Sequence, residues 1–290
     1  MSTRAEGSAS DEAHAAREES EADDESATSE VHAARAERAA DDHLPPTHTR
    51  MAMWSGPRNI STAMMRAWEN RADCFVVDEP LYAAYLQATQ LDHPGRDEII
   101  AAGETDWRAV AEWLLGPAPD GSPIFFSKMM THHLIPEVGR DWIAGPRNVM
   151  LIRDPREVVA SYVRSRASCA PADIGVLQQA ELYDELTAAG AEVPVIDAAD
   201  FLRDPRRYLT WLCEWLGLAV TDSMLSWPTG PRASDGVWAP HWYAKVEASC
   251  GFEPWRPREV VLDGHGEEVA EACRGAYEQL HDHRLTVVDR

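Results

Sequence analysis

The chain has 290 residues and a formal net charge of −22. That length suits one large α/β domain with additions or two small domains, and either buries a real core. The acidic balance excludes a nucleic-acid surface, which needs a basic stripe, and counts against anionic membranes, so any anionic ligand requires its own basic pocket.

Lysine occurs only at Lys128 and Lys245, which leaves arginine as nearly the whole positive charge. The five cysteines at 74, 169, 213, 250 and 273 form no CxxC pair and no cluster with histidine at metal-ligand spacing. They read as reduced and structural, and no metal is expected. The N-terminus lacks the apolar core of a signal peptide, and no apolar run reaches the roughly 18 residues of a membrane span. A soluble cytoplasmic protein is the expectation.

In chain order, residues 1–47 are rich in Ala, Glu, Asp and Ser with almost no large apolar side chains. Such a segment cannot bury enough surface to offset its ordering entropy, so a disordered acidic tail is expected, with 48–290 as one α/β domain. Met51–Trp54 is an uninterrupted apolar run, the pattern of a strand buried on both faces. Ser55, Gly56 and Pro57 end it, and Ile60, Met64, Met65 and Trp68 then mark one helical stripe with Asn59, Ser61 and Thr62 at its mouth. Strand, tight loop and helix in that order present unpaired N–H groups and a positive helix end to an anion, and Arg58 adds a fixed charge. A Walker loop is not present, since GxxxxGK[ST] is absent and the stretch contains no lysine.

Cys74–Val77 reads as a second strand, ended by Asp78-Glu79-Pro80 before a helix carrying Leu81, Tyr82, Tyr85 and Leu86. Glu79 therefore sits at a strand's C-terminal end, the edge where open parallel sheets bind ligands. Between Gln87 and Pro123, Trp107–Leu115 reads as a helix and Gly116–Pro123 as a loop, with part of the region expected over the site. A third strand begins at Ile124 and leads into Thr131-His132-His133-Leu134; Asn148–Ile152 is a fourth and Val193–Ile196 a fifth. Asp154 and Pro155 suit a helix start whose buried face is Val158, Val159, Tyr162 and Val163. Tyr208 to Leu216 marks another amphipathic helix, ending at Gly217. Strands alternating with helices imply an α/β fold, a mainly parallel sheet with helices on both faces. Arg153 at a strand end and Ser161 two turns into the next helix can both reach one phosphate, a second anion seat beside the first.

At these residues the chain resembles the sulfotransferases that use 3′-phosphoadenosine 5′-phosphosulfate (PAPS), and bacterial members of that P-loop-like fold in particular. The resemblance runs from about Met51 to Tyr243. Ser55 to Ala63, SGPRNISTA, is similar to the family's 5′-phosphosulfate loop, with Arg58 in place of the usual lysine, and Arg153 to Ser161 is similar to its RxPxxxxxS 3′-phosphate motif. Asp197–Leu202 with Asp204-Pro205, ahead of a helix closing in Leu216-Gly217-Leu218, agrees with it. So does Gly230-Pro231-Arg232…Gly236-Val237-Trp238, although its wording departs from the animal cytosolic pattern.

The resemblance implies transfer of a sulfuryl group from PAPS to a hydroxyl or amine of a small-molecule acceptor, leaving adenosine 3′,5′-bisphosphate, without a metal. It gives Ser55, Gly56, Pro57, Arg58, Asn59, Ile60, Ser61 and Thr62 to the 5′ end of the donor and Arg153 and Ser161 to the 3′-phosphate. Arg232 would also meet that phosphate and Trp238 the adenine. A general base is required. His133, placed like the histidine after the third strand of the animal enzymes, is favoured over Glu79, placed like the carboxylate of some bacterial ones; His132 is its neighbour. Lys128 is the candidate for touching the sulfuryl oxygens. Adjacent histidines in an extended segment point to opposite faces, which counts against zinc at His132, His133 and His241. Tyr82, Tyr85, Trp107, Trp113, Trp238, Trp242 and Tyr243 are candidates for an acceptor pocket. The rival readings are a phosphate-loop kinase or nucleotide hydrolase, and a non-catalytic nucleotide-binding protein of the same fold.

Overall fold

The structure, a computed structural model, describes residues 48–164, 166, 169–257 and 259–287, so the tail expected at 1–47 lies outside the described residues. Strand β1 (Thr49–Ser55) is followed by helix α1 (Ser61–Glu69), β2 (Cys74–Asp78) and α2 (Tyr82–Thr89). Two helices, α3 (Arg96–Ala102) and α4 (Trp107–Leu115), lead to β3 (Ile124–Met130) and a single 3-10 turn at Thr131–His133. Then come β4 (Arg147–Ile152), α5 (Pro155–Tyr162), α6 (Val176–Ala188), β5 (Val195–Asp197), α7 (Pro205–Trp215) and α8 (Gly264–Asp282).

The strands pair in the order β2-β3-β1-β4-β5, every pair parallel. Successive strand side chains point to opposite faces, and here both faces are covered, which is why β1 needs no polar alternation. Ala52 and Trp54 pack with Phe125, Met150 and Ile152 against α4, α5, α6 and α8. Met51 and Met53 pack with Phe126, Val149 and Leu151 against Met64, Met65 and Trp68 of α1 and Leu209 and Leu212 of α7.

The five sequence-predicted strands all form: β3 starts at Ile124 as expected, and the other four lie within two residues of their expected ends. The helices α3, α6 and α8 were not anticipated. The buried side of α8 is Val269, Ala270, Cys273 and Leu280 with Gly266 among them, too small and sparse to print an apolar stripe. The His132-His133 segment is not extended as expected but coiled into the 3-10 turn, which brings the two rings to 4.4 Å instead of opposing them. No described helix is long and apolar enough to cross a membrane, and the described residues hold no group of His, Cys, Asp or Glu fit to bind a metal ion.

Because β1 lies between β3 and β4, the chain after Ser55 leaves the sheet at its topological switch point, where neighbouring connections diverge and open a crevice. The loop there is packed without slack. A Cβ added at Gly56 would lie 2.1 Å from the Ile174 carbonyl oxygen, so this position accepts no side chain. Gly56→Ala is expected to cost about 1–3 kcal/mol of unfolding free energy in urea. Gly275→Ala, in open space inside α8, should instead gain about 0.5–1 kcal/mol.

Candidate active site

A cavity of about 620 Å³ lies at the C-terminal edge of the sheet, lined by the loops and strand ends there and by the later segment from Trp242 to Gly266. The loop after β1 contributes Pro57 to Ala63, the ends of β2 and β3 contribute Glu79, Lys128 and Met130, and the end of β4 with α5 contributes Arg153, Glu157 and Ser161. Three of the four described non-glycine residues with positive φ line it: Arg58 (59°), Ile60 (43°) and Glu79 (42°). Such conformations cost on the order of 1–3 kcal/mol each and persist only where surrounding contacts fix them. Here Asn59 supplies one such contact, donating from Nδ2 to the Leu151 carbonyl at 2.5 Å. Gln179 of α6 adds support beneath, donating to Trp54 O at 3.0 Å and Leu151 O at 3.1 Å. Ile60 precedes α1 without a side-chain cap, and the first turn of α1 carries no acid, so its leading N–H groups stay available to an anion.

The two expected anion seats meet. Arg58 Nε donates to Ser161 Oγ at 3.0 Å, and Arg153 Nη1 donates to the Arg58 carbonyl at 3.1 Å. Glu157 holds Arg153 through Nε at 2.9 Å and Nη2 at 2.6 Å. Asp154 caps α5 by accepting from Arg156 N, which fixes the helix that carries both Glu157 and Ser161. Burial, then the charges of Arg153 and Arg164, lower the Arg58 guanidinium from its ordinary value. Like charges brought together in a concave site are the arrangement an anion relieves. Arg164 and Arg166 also line the cavity. Neither was singled out in the sequence, because they follow the helix in a stretch without motif or periodicity.

At the other side, Lys128 Nζ donates to Asp78 Oδ1 at 2.8 Å, Glu79 Oε1 at 2.5 Å and the Tyr243 hydroxyl at 2.8 Å. All three ammonium donors are therefore engaged within the protein, and contact with a further oxygen requires one to be released. Burial raises the Glu79 carboxyl above its usual range, with Lys128 opposing and Asp78 adding to the rise. Glu79 Oε2 lies 3.9 Å from His133 Nε2, beyond hydrogen-bond distance.

The histidines occupy different surroundings. His133 is 1% exposed, does not line the cavity, and is stacked between Tyr82 (4.6 Å) and Tyr85 (4.7 Å) with both ring nitrogens unpartnered. Burial holds it well below the ordinary histidine range. His132 lines the cavity, but burial pushes it down to about 3. His93, from the segment expected over the site, lines it too. Its Nδ1 meets the Pro94 carbonyl at 2.9 Å and must donate there, so the Tyr82 hydroxyl donates to Nε2 at 2.7 Å.

Several expected contributors are not brought to the cavity. Ser55 is fully buried, its hydroxyl on Met130 S, and Gly56 is tucked against Ile174. Arg232 faces Asn70 Oδ1 at 3.4 Å and Glu69 at 3.9 Å, and Trp238 packs edge-on to Tyr82 at 5.0 Å with Nε1 on the Tyr243 hydroxyl. Of the aromatic candidates, Tyr82, Trp242 and Tyr243 line the cavity. Tyr85 stacks on His133, Trp107 fills the space beside Gly139, and Trp113 meets Phe125 edge-on.

Residues 49–272 match the family model described as a sulfotransferase domain. Two curated relatives from Arabidopsis thaliana, branched-chain-amino-acid aminotransferase-like proteins 1 and 2, are 34% and 30% identical over 233 and 230 residues, 79% of this chain. The chain spans only 41% of the length of either. The crystal structure of a sulfotransferase from Alicyclobacillus acidocaldarius shares the fold at a TM-score of 0.52 and 14% identity, over 82% of this chain and 97% of that one. With the family model covering the sheet, the loop after β1 and the Arg153–Ser161 helix together, the chain belongs to the sulfotransferase domain family.

Proposed function

We propose that the protein is a sulfotransferase that takes the sulfuryl group from PAPS and delivers it to a hydroxyl or amine of a small-molecule acceptor. One observation carries this reading: the Arg58 loop and the Arg153–Ser161 helix, far apart in sequence, hydrogen-bond to one another on the wall of a single cavity that also holds Glu79 and Lys128. In this reading the α1 N–H groups, Ser61, Thr62 and Arg58 hold the 5′ end of the donor, and Arg153 and Ser161 hold its 3′-phosphate. No metal is given a role.

Sulfuryl transfer demands in-line positioning and neutralisation of charge on the leaving phosphate, much as phosphoryl transfer does. The bond from sulfur to the phosphate oxygen breaks, a bond from sulfur to the acceptor forms, and the acceptor's proton passes to Glu79 Oε2. Glu79 takes the place of His133 as the favoured base for three reasons. It lines the cavity while His133 does not, no described residue donates to its Oε2, and its raised proton affinity suits a base better than a histidine held far below the usual range.

Arg153→Ala is expected to weaken adenosine 3′,5′-bisphosphate binding at least ~10-fold by calorimetry, since a charge-assisted contact is worth about 1.5–3 kcal/mol. Binding that survives metal chelation, together with transfer of labelled sulfate, separates this reading from a kinase or hydrolase and from a non-catalytic binder; unchanged affinity overturns the assignment of Arg153. Glu79→Gln should lose roughly 10²–10⁴ in turnover while binding bisphosphate normally, whereas His133→Phe keeps turnover of the parent's order. The opposite pattern would give the base to His133. Because Glu79 acts unprotonated and its carboxyl is raised above 4.5, turnover should fall on acidification through a limb lying above that value.

A further inference from the structure

The hydrogen-bond count around Lys128 has a single solution. The Tyr243 hydroxyl receives Lys128 Nζ at 2.8 Å and Trp238 Nε1 at 3.1 Å, and both groups are donors only. The one phenolic proton must therefore go to Asp78 Oδ2, 2.6 Å away. Asp78 Oδ1 meanwhile accepts from Lys128 at 2.8 Å. Asp78 thus grips the lysine directly and again through the tyrosine, from a buried position off the cavity, while Glu79 on the cavity side accepts from the same ammonium.

We propose that Asp78 is a positioning residue of the reaction: by competing with Glu79 for Lys128, and by holding Tyr243 as the lysine's third acceptor, it sets how much of the ammonium's charge Glu79 feels. This rests on the reading above in which Glu79 is the base. A carboxylate left alone with a buried lysine is a poor proton acceptor, because the ion pair stabilises its charged form. A second carboxylate on the same lysine dilutes that pairing and adds repulsion of its own. The groups facing Glu79 are Lys128 from β3, Asp78 from β2, Tyr82 from α2, His133 from the 3-10 turn and, through Lys128, Tyr243. Among these, Asp78 is the one whose charge raises the Glu79 carboxyl and Lys128 the one whose charge lowers it.

The two arms of the network predict opposite effects. Asp78→Asn removes the competing charge, so Lys128 falls to Glu79 and the Glu79 carboxyl should titrate ~1 pH unit or more lower. Tyr243→Phe leaves every charge in place but takes the proton off Asp78 Oδ2, so Asp78 draws Lys128 harder and Glu79 should titrate higher. The experiment is a pH titration of the Glu79 carboxyl by carbon-13 NMR in the full chain, its signal assigned by its loss in Glu79→Gln. Adenosine 3′,5′-bisphosphate affinity, unchanged in both variants, serves as the check on folding. Shifts of opposite sign support the proposal, and a merely structural role for Asp78 would not produce them. A midpoint that stays in place in either variant, or moves the same way in both, overturns it. Should Asp78→Asn fail to fold, Tyr243→Phe decides alone: a rise supports the proposal and no change or a fall overturns it. A parent protein that binds no bisphosphate refutes the sulfotransferase reading instead, and leaves the measured sharing of Lys128 to stand or fall by itself.

Discussion

Parallel pairing of β1 with both β3 and β4 is the constraint on which the rest of the structure depends. It sends the C-terminal ends of β1 to β4 to one edge, so Ser55, Asp78, Met130 and Ile152 finish side by side and the loops that follow face one another. Nothing about Arg58, Glu79 or Arg153 individually places them together; the sheet does. It also requires both of its faces to be covered, and the two apolar clusters on either side cover them.

Two electrostatic arrangements of opposite character share that edge. On one side Arg58 and Arg153 are crowded, with Glu157 the one carboxylate paired to them among the described residues, an arrangement that the proposed anion would complete. On the other, Lys128 is saturated by two carboxylates and a phenol, an arrangement complete in itself. A buried ion cluster contributes little net stability, since desolvation offsets the attraction, but removing one member leaves an uncompensated charge at a cost of about 3–5 kcal/mol. The first carries charge in excess and the second is internally matched.

Much of this was legible in the sequence where local chemistry decides the outcome. The apolar run Met51–Trp54, the glycine and proline after it, and Asp154-Pro155 at the head of α5 each carry their reason in neighbouring residues, and the fold class followed from them. The family resemblance singled out two stretches as candidate anion seats, and the structure adds that they touch. What could not be read depends on distant partners. His133 was favoured as the base from its likeness to the histidine after the third strand of the animal enzymes; the 3-10 turn sets it between two tyrosines from α2. Asp78 looked like a strand terminator, and its connection to Tyr243 spans 165 positions. Arg232 and Trp238 were assigned by motif alone, and their partners, Glu69 with Asn70 and Tyr82 with Tyr243, come from the first third of the chain and from the next turn.

The segment carrying Asp235 and Tyr243 is stapled to the first two β-α units: Arg66 of α1 binds Asp235 at 2.7 Å, Ser234 Oγ donates to Glu69 at 2.6 Å, and Tyr243 reaches Asp78. A nascent polypeptide emerging from the ribosome therefore exposes a nearly complete sheet long before it acquires the piece that neutralises Arg66 and closes around Lys128. Until that piece arrives, two cations destined for the interior stay wet, and water keeps the surrounding packing from locking. Synthesis order alone thus defers the closing of this wall until the chain has passed Tyr243.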